Sequence, residues 1–491
     1  IIVEESLCNT CANHDDEAIV CSRCYSSRSN LSRARAKLFA EVSIPGELQL
    51  CPANICNHGF FNSILEGDYK SAVEIVRDKM LFSKTCGDIC HRSCELMKIE
   101  TDEKWNEEIS YISTGNVPIK ALKKFVSSFD NNYLDFSAPI SRAKNAEKKN
   151  KKIAVIGAGP SGLSAAYDLV QNGYEVEIFE KQNKPGGMVA FGIPWFRMDK
   201  SGFEYEAMQL EKMGVQFHFN SVLGTDYSLT ELSESFDAII LAIGMWHSNK
   251  LDLIEMSVPE SKRSDALTFL KKFNSGISEI TAEITFVVIG GGNSALDTAR
   301  AARILNPKNR VIITCIEKEN DMPAFAEEIS NAKAEGIEII PDSYVSNCSC
   351  EDRINIVLNS FSNKEFLCEL KCDFILTAIG QSSDSDALIE INRNKFDSSG
   401  RILSHENNPI AKNIFIAGDI HSGNSMSVIG AIASGKKAAV DVRKLLENYG
   451  FNYEGEKALK ELNNLKGKLL DYTPVLNSGN IEGLELKTIR D

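Results

Sequence analysis

Nine of the 14 cysteines fall within the first 94 residues, and the remaining five lie after residue 314. Thiols clustered in a chain this long point to metal ligation; disulfide frameworks belong to small secreted domains. Cys8-x-x-Cys11 and Cys21-x-x-Cys24 form two pairs. Each pair makes a tight turn, and four thiolates can close a tetrahedral site for zinc, a single iron or an iron-sulfur cluster. Further on stand Cys51-Pro52, Cys56, Cys86, Cys90 and Cys94. Four or five thiolates with uneven spacing suggest a 4Fe-4S cluster rather than zinc. The competing reading is that they are small buried apolar residues.

The second set of chemical residues is glycine-rich. Ile153 to Ile156 reads as a strand running into Gly157-Ala158-Gly159-Pro160-Ser161-Gly162. A helix from Leu163 to Asn172 follows, then a strand from Val176 to Glu180. This is a dinucleotide-binding βαβ unit. Its glycines give the tight turn, the close approach to a pyrophosphate and the helix–sheet packing. The helix N-terminus faces phosphate, and Glu180 takes ribose hydroxyls. Thr285 to Ile289, Gly290-Gly291-Gly292-Asn293-Ser294-Ala295, a helix from Leu296 to Leu305 and a strand from Arg310 to Glu317 repeat the pattern. Two such units in one chain imply a flavin exchanging electrons with a nicotinamide. Lys184-Pro185-Gly186-Gly187-Met188 and Gly192-Ile193-Pro194 are small enough to lie against a flat ring. Arg197 either faces phosphate or is an ordinary surface arginine. Asp419 closes a strand from Asn413 and is placed to take a ribityl hydroxyl, with a helix from about Ser427 facing the ring. No catalytic acid or base is assigned, because hydride transfer needs orientation rather than proton exchange.

The elements that must position these residues follow from the pattern along the chain. With 491 residues, 43% of them hydrophobic, the chain has room for roughly three domains. The expected division is a four-cysteine metal module (1–30), a helical iron-sulfur domain (31–130), a linker (131–152), a flavin domain in two parts (153–245 and 379–447), an inserted nicotinamide domain (246–378) and a tail (448–491). Within 31–130, an amphipathic run passes through Phe61, Ile64, Leu65, Val73, Ile75 and Val76. The insertion is read from two similar strands, Asp237 to Ala242 and Asp373 to Ala378, each ending in Ile-Gly. The fold class is α/β, with two Rossmann-like domains behind a helical domain. The balance of 54 basic and 68 acidic residues, net −14, argues against nucleic acid or an anionic membrane as partner. No apolar run approaches the ~18 residues that span a bilayer, so a cytoplasmic location is expected. The sequence starts on Ile rather than Met, which leaves room for a preceding segment.

From about residue 50 to 445 the sequence resembles the small subunit of glutamate synthase and its relatives. That family includes the flavin half of dihydropyrimidine dehydrogenase and the large subunit of ferredoxin-NADP transhydrogenases. The marks are Cys51-Pro52, Cys90 with Cys94-Glu95, the two glycine turns, Pro185-Gly-Gly187, Gly192-Ile-Pro194, Asp321-Met-Pro-Ala324 and Ala417-Gly-Asp419. The resemblance implies FAD on Gly157, Gly159, Pro160, Ser161, Gly162, Glu180, Lys181, Gly187, Met188, Ile193, Arg197, Val222, Ala242, Gly244, Gly418, Asp419, Ser427, Val428 and Ala431. It implies the nicotinamide cofactor on Gly290, Gly292, Asn293, Ser294, Glu317, Ala378 and Gly380.

Three departures matter. The cysteine group that precedes Cys51 in the family is missing and Lys98 replaces a later cysteine, so one of two clusters is expected to be lost. For the other, Cys51, Cys90 and Cys94 match ligands, but Lys123 stands where relatives place Gln or Glu, leaving Cys56 or Cys86 to complete the set. Where NADPH-preferring relatives carry Tyr-Arg-Arg, this chain reads Cys315-Ile316-Glu317, and an acid there repels a 2′-phosphate. The expected cofactor is therefore NAD(H) rather than NADP(H). The expected function is hydride exchange between NAD(H) and FAD, then single-electron transfer through the cluster to a partner subunit in a hetero-oligomer. Ferredoxin, a hydrogenase or a formate dehydrogenase are alternative partners, as is an electron-bifurcating complex. Competing readings are an NADPH-dependent glutamate synthase small subunit and a docking subunit with a degenerate cluster site. A thioredoxin reductase is disfavoured, because Cys348-Ser-Cys350 has the wrong spacing for a redox pair.

Overall fold

The computed structural model describes residues 51–53, 55, 57–92, 118–276, 282–383, 396–397, 401–402, 413–421 and 426–447. Cys8, Cys11, Cys21, Cys24, Cys56 and Cys94 lie outside the described residues.

The chain first forms α1 (Asn57–Leu65), α2 (Tyr69–Arg77) and α3 (Ser83–Ile89). The amphipathic run breaks at Gly67-Asp68, where the Asp68 carboxylate accepts the Ser71 N–H at 3.0 Å and caps α2. Helix α2 turns Ala72, Val73, Ile75 and Val76 inward. α4 (Ile119–Ser128) packs across α3. The expected linker contains a helix of its own, α5 (Ser137–Asn145). Phe136, Pro139 and Ala143 give that polar stretch enough apolar surface to seat it. Arg77 fixes the segment: its guanidinium donates to the carbonyls of Asn132, Tyr133 and Asp135 and lies 3.9 Å from the centre of the Phe136 ring.

The first βαβ unit is β1 (Lys152–Ile156), α6 (Pro160–Gln171) and β2 (Glu175–Glu180). Helix α6 begins at Pro160 rather than Leu163, because proline's fixed φ suits the first helical position. There follow α7 (Gly187–Phe191), α8 (Lys200–Met213), β3 (Gln216–Phe219), α9 (Leu229–Ser235) and β4 (Ala238–Leu241). The chain then leaves this sheet through β5 (His247–Ser248).

Next come α10 (Asp252–Ser257), β6 (Arg263–Asp265), α11 (Ala266–Asn274), β7 (Thr285–Ile289), α12 (Asn293–Leu305), β8 (Arg310–Thr314), α13 (Ala326–Ala334) and β9 (Glu338–Ile340). An antiparallel trio, β10 (Ser343–Cys350), β11 (Ile354–Ser360) and β12 (Phe366–Cys372), precedes β13 (Phe374–Thr377). The chain returns through β14 (Gln381–Ser382), which pairs antiparallel with β5. It closes with β15 (Ile414–Ile416) and α14 (Val428–Leu446).

Two parallel five-stranded sheets result, ordered β15-β4-β1-β2-β3 and β6-β13-β7-β8-β9. In each, the first strand of the glycine-turn unit is central and buried, as parallel sheets covered on both faces require. Both glycine turns thus emerge at the carboxyl end of a central strand, where α/β sheets bind ligands.

Candidate dinucleotide cleft and cysteine site

Gly157 and Gly290 open the two turns with φ of +104° and +138°. A Cβ on Gly157 would stand 2.5 Å from the Ala242 carbonyl oxygen, and one on Gly290 would collide with that of Ala378. Each turn is therefore pressed against the neighbouring strand's end, and only glycine fits. Beyond the turns, neither α6 nor α12 has a side chain capping its N-terminus. Their first N–H groups and helix dipoles are aimed outward for an anion.

A cleft of about 1360 Å³, including its open mouth, runs along the first turn. It gathers Gly157, Gly159, Pro160, Ser161, Glu180, Gly187, Met188, Ile193, Arg197, Ala242, Gly244, Gly418, Asp419, Ser427, Val428 and Ala431. Asn293 and Ser294 reach it from the second unit. Gly162 is buried inside α6. Lys181 lies outside the cleft wall with its amine 4.7 Å from the Trp246 ring centre. Val222 is 37% exposed in a turn where its N–H donates to Asp226 at 2.7 Å. Gly290, Gly292, Glu317, Ala378 and Gly380 are set back around the second turn.

The cleft has the chemistry FAD needs. The Glu180 carboxylate accepts the N–H groups of Ala158 at 2.7 Å and Gln182 at 2.8 Å, which fixes it at the end of β2 with lone pairs to spare. Burial pushes its pKa up, and those N–H groups pull it back. The Ser161 hydroxyl is buried in the wall with no hydrogen-bond partner, an orphan donor beside the uncapped helix. Gly159, Pro160 and Ser161 would hold the pyrophosphate and Glu180 the ribose.

The second turn has a different charge. The Glu317 carboxylate folds back over it: a Cβ on Gly291 would lie 2.6 Å from Glu317 Oε2. That oxygen is buried and has no hydrogen-bond partner. Gly292 has open space where its Cβ would be, so a nucleotide can approach the backbone.

Arg197 lies in a carboxylate cage rather than on the surface. It bonds Asp297 at 2.9 and 3.1 Å and Glu328 at 2.7 Å, and Arg300 bonds Glu328 at 2.7 Å and Glu335 at 2.7 Å. Asp297 is one helical turn past Asn293 and lines the cleft. Burial lifts its pKa to about 6 despite Arg197. Lys200 donates to the carbonyls of Val189, Ala190 and Ile193, pinning the loop after α7, and burial drops its pKa to about 7. The sequence reading missed Ile89, His91, Trp246, Asp297, Phe325 and Met426 in the cleft wall. Only Asp297 left a sequence signal, its helical spacing from Asn293.

Near one end of the cleft, α3 presents Cys86 and Cys90 one turn apart, and Cys51 shares their core. Burial pushes the Cys86 and Cys90 thiols up. Among the described residues no three His, Cys, Asp or Glu side chains are grouped to hold a single ion. A 4Fe-4S cluster takes one thiolate at each iron, so thiols spaced around a common core suit it better than one ion. Of the expected ligands, Cys51, Cys86 and Cys90 lie in this core, and Cys56 and Cys94 lie outside the described residues.

Two dinucleotide units facing one cleft, with a thiol-rich helical domain beside it, define a flavin-dependent nucleotide oxidoreductase. Residues 151–435 match the model of the pyridine nucleotide-disulphide oxidoreductase family, and the chain belongs to that family. Residues 42–133 match dihydropyrimidine dehydrogenase domain II, 4Fe-4S cluster. The chain is thus an FAD-dependent NAD(P)H oxidoreductase with an iron-sulfur domain. It is similar to the NAD-dependent dihydropyrimidine dehydrogenase subunit PreT of Salmonella typhimurium, with 28% identity over 407 residues, covering 81% of this chain and 90% of that one. It is also similar to the NADP(+)-dependent formate dehydrogenase subunit beta of Moorella thermoacetica, with 28% identity, covering 81% of this chain and 59% of that one. Among solved structures, the FprA oxidoreductase of Mycobacterium tuberculosis aligns at 18% identity and a TM-score of 0.49, covering 64% of this chain and 89% of that one.

Proposed function

We propose that this chain takes hydride from NADH in preference to NADPH and passes single electrons through its cysteine domain to a partner subunit. The observation that carries the cofactor choice is the Glu317 carboxylate. It stands three residues beyond the end of β8, folded over Gly291, with one oxygen unpartnered. A ribose diol donates hydrogen bonds to such a group, whereas a 2′-phosphate meets like charge. FAD, when bound, converts two-electron to one-electron chemistry. The chain's own residues do the rest. Lys200 holds the loop that passes the ring, Arg197 is held by Asp297 between the two units, and Cys51, Cys90 and Cys94 with Cys56 or Cys86 hold a 4Fe-4S cluster. Cys8, Cys11, Cys21 and Cys24 bind zinc or iron as a docking module or an extra relay.

The relatives' names support a partner: each is a subunit of a named dehydrogenase. A dehydrogenase or reductase subunit of the hydrogenase or formate dehydrogenase kind, or ferredoxin, is the expected acceptor, in a cytoplasmic hetero-oligomer. Anaerobic titration of the purified chain with NADH and with NADPH tests the reading. NADH is expected to bleach the flavin at least tenfold faster at equal concentration, and Glu317→Arg to reverse the order. Equal rates with both nucleotides, unchanged in the variant, would overturn the assignment of Glu317.

A further inference from the structure

The last turn of α11 reaches across from the nicotinamide unit and grips the loop that passes the flavin. Asn274, its final residue, donates through Nδ2 to the carbonyls of Phe191 at 2.9 Å and Ile193 at 3.1 Å. The amide fits only this way round. Its oxygen is buried without a hydrogen-bond partner, and turning the amide over would set that oxygen against two carbonyl oxygens. The residue before it, Phe273, stacks on Trp195 with ring centres 6.1 Å apart, and meets Phe196 edge-on at 6.2 Å. Leu270 and Leu267, one and two turns back from Asn274, line the cleft. Helix α11 thus has one end fixed to the loop and its middle facing the site.

These bonds fall where the loop needs them. The carbonyls that end a helix have no partner within it. Behind α7, Lys200 takes those of Val189, Ala190 and Ile193 from the flavin side. Asn274 takes that of Phe191, and shares that of Ile193, from the other unit. At the opposite end of α7, a Cβ on Gly187 would lie 3.0 Å from the Gly159 Cα of the first glycine turn. Gly192 and Ile193 line the cleft. The segment that must lie against the ring is therefore seated jointly by both units. Hydride transfer needs nicotinamide and flavin in near-contact, and a misplacement of about 1 Å can cost about 100-fold in rate.

We propose that Asn274 is a positioning residue for hydride transfer: by donating to two carbonyls of the ring-facing loop, it fixes α11, and with it the nicotinamide unit, at the distance and angle from the flavin that the reaction requires. The inference rests on the reading that a nicotinamide held by the second unit reduces a flavin held by the first. Asn274 stands outside the cleft wall. It acts through the loop and exchanges no proton and no electron.

The test is anaerobic stopped-flow bleaching of the FAD-loaded full chain by NADH, which gives a limiting rate and a half-saturating concentration separately. Asn274→Asp, ionised at about pH 8, keeps the shape and loses both donors. Its limiting rate is expected to fall about 10- to 100-fold, with half-saturation within about threefold, because the glycine turn that holds the nucleotide is untouched. Lys272→Ala, an exposed change on the same helix, should stay within about twofold in both. An Asn274→Asp limiting rate within about threefold of wild type, or a loss carried by half-saturation alone, would overturn the proposal. Hydrogen exchange of the FAD-free chain reads the grip without turnover. In Asn274→Asp, residues 188–194 and 266–274 should exchange about 5- to 100-fold faster, the value of carbonyls left without a donor, with β1 and β2 unchanged. If the variant fails to hold FAD, this exchange decides: rates within about twofold of wild type in both segments refute the grip. A wild-type chain whose flavin neither NADH nor NADPH bleaches sinks the hydride reading itself, and this inference with it.

Discussion

Glu206 on α8 is fully buried and belongs to the flavin side, yet among the described residues the hydrogen bonds its carboxylate accepts come from the start of the cysteine helix. Its carboxylate accepts Ser83 Oγ at 3.0 Å, Lys84 N–H at 2.9 Å, Thr85 N–H at 3.2 Å and Thr85 Oγ1 at 2.8 Å. Helix α3 has no side-chain cap of its own, so Glu206 caps it from another element. In Glu206→Ala the two hydroxyls can rotate to other acceptors, but the two N–H groups cannot. At about 1–3 kcal/mol for each buried unsatisfied donor, with an added cavity, the loss is about 3–5 kcal/mol. Glu206→Gln keeps one acceptor oxygen for the two N–H groups and should cost about 1–2 kcal/mol.

A chain of several domains does not unfold in two states, so a global melting curve would blur this effect. Hydrogen exchange of residues 83–90 reads it locally. At about 1.4 kcal/mol per decade, Glu206→Ala should speed exchange there by about 100- to 3000-fold, and Glu206→Gln by about 5- to 30-fold. Exchange across β1 and β2 should change little, because the first sheet does not depend on the cap. An increase below threefold at 83–90, or an equal increase in β1 and β2, would refute the claim that this carboxylate seats the cysteine helix.

Gly290→Ala, with φ at +138° and a carbonyl in the way, should abolish flavin bleaching by NADH while leaving FAD content unchanged, as absorbance shows directly. Ser161→Ala removes an orphan hydroxyl, so the FAD-free chain should be as stable as wild type or slightly more so. FAD should nevertheless bind about 10- to 100-fold more weakly by fluorescence titration, the value of a hydrogen bond to a charged group. Asp297 has its pKa raised by burial from 3.8 to about 6, so it binds a proton more tightly folded than unfolded. The stability this contributes is complete below about pH 3.8 and is lost as pH rises through 6. Asp297→Asn, which mimics the protonated form, should therefore gain on wild type by up to about 3 kcal/mol between pH 4 and 6.5, then run parallel. The ratio of variant to wild-type hydrogen-exchange protection across α12, followed against pH, measures this, and a ratio constant throughout would contradict it.

The two glycine turns were legible because each is local: strand, turn and helix follow directly in sequence, and their order alone carries the mechanism. Glu180 and Asn293 could be read for the same reason. Arg197 could not be resolved from the sequence, because its partners Asp297 and Glu328 belong to the other sheet's helices and nothing near Arg197 announces them. Glu206 and α3 pair across 121 to 123 residues. Helix α5 was hidden by its polarity, since a short helix needs only a few apolar contacts when neighbours supply the rest. The resemblance left Cys56 and Cys86 as alternatives: Cys86 lies one helical turn before Cys90, and Cys56 lies outside the described residues.

The segment leading into α13 is where these separate features meet. Ala324 N–H donates to the Gly291 carbonyl at 3.2 Å, and Phe325 N–H to the Asn293 side chain at 2.9 Å, which anchors the segment on the second glycine turn. The Phe325 ring stacks on His91, next to Cys90, with centroids 5.2 Å apart. Glu327 meets Arg92 and Lys120, and Glu328 meets Arg197 and Arg300. The Glu327 pairs are exposed enough to be worth little, about 0–1 kcal/mol each. The Glu328 pairs are buried, and opening them leaves uncompensated charge at several times that cost. Of the contacts around this segment, the buried cage of Arg197, Asp297 and Glu328 therefore does most to set how the nicotinamide-side helix faces the flavin-side loop. Any swing of the second unit that brings a nucleotide over the cleft must either carry Arg197 with it or give its carboxylates a new cation.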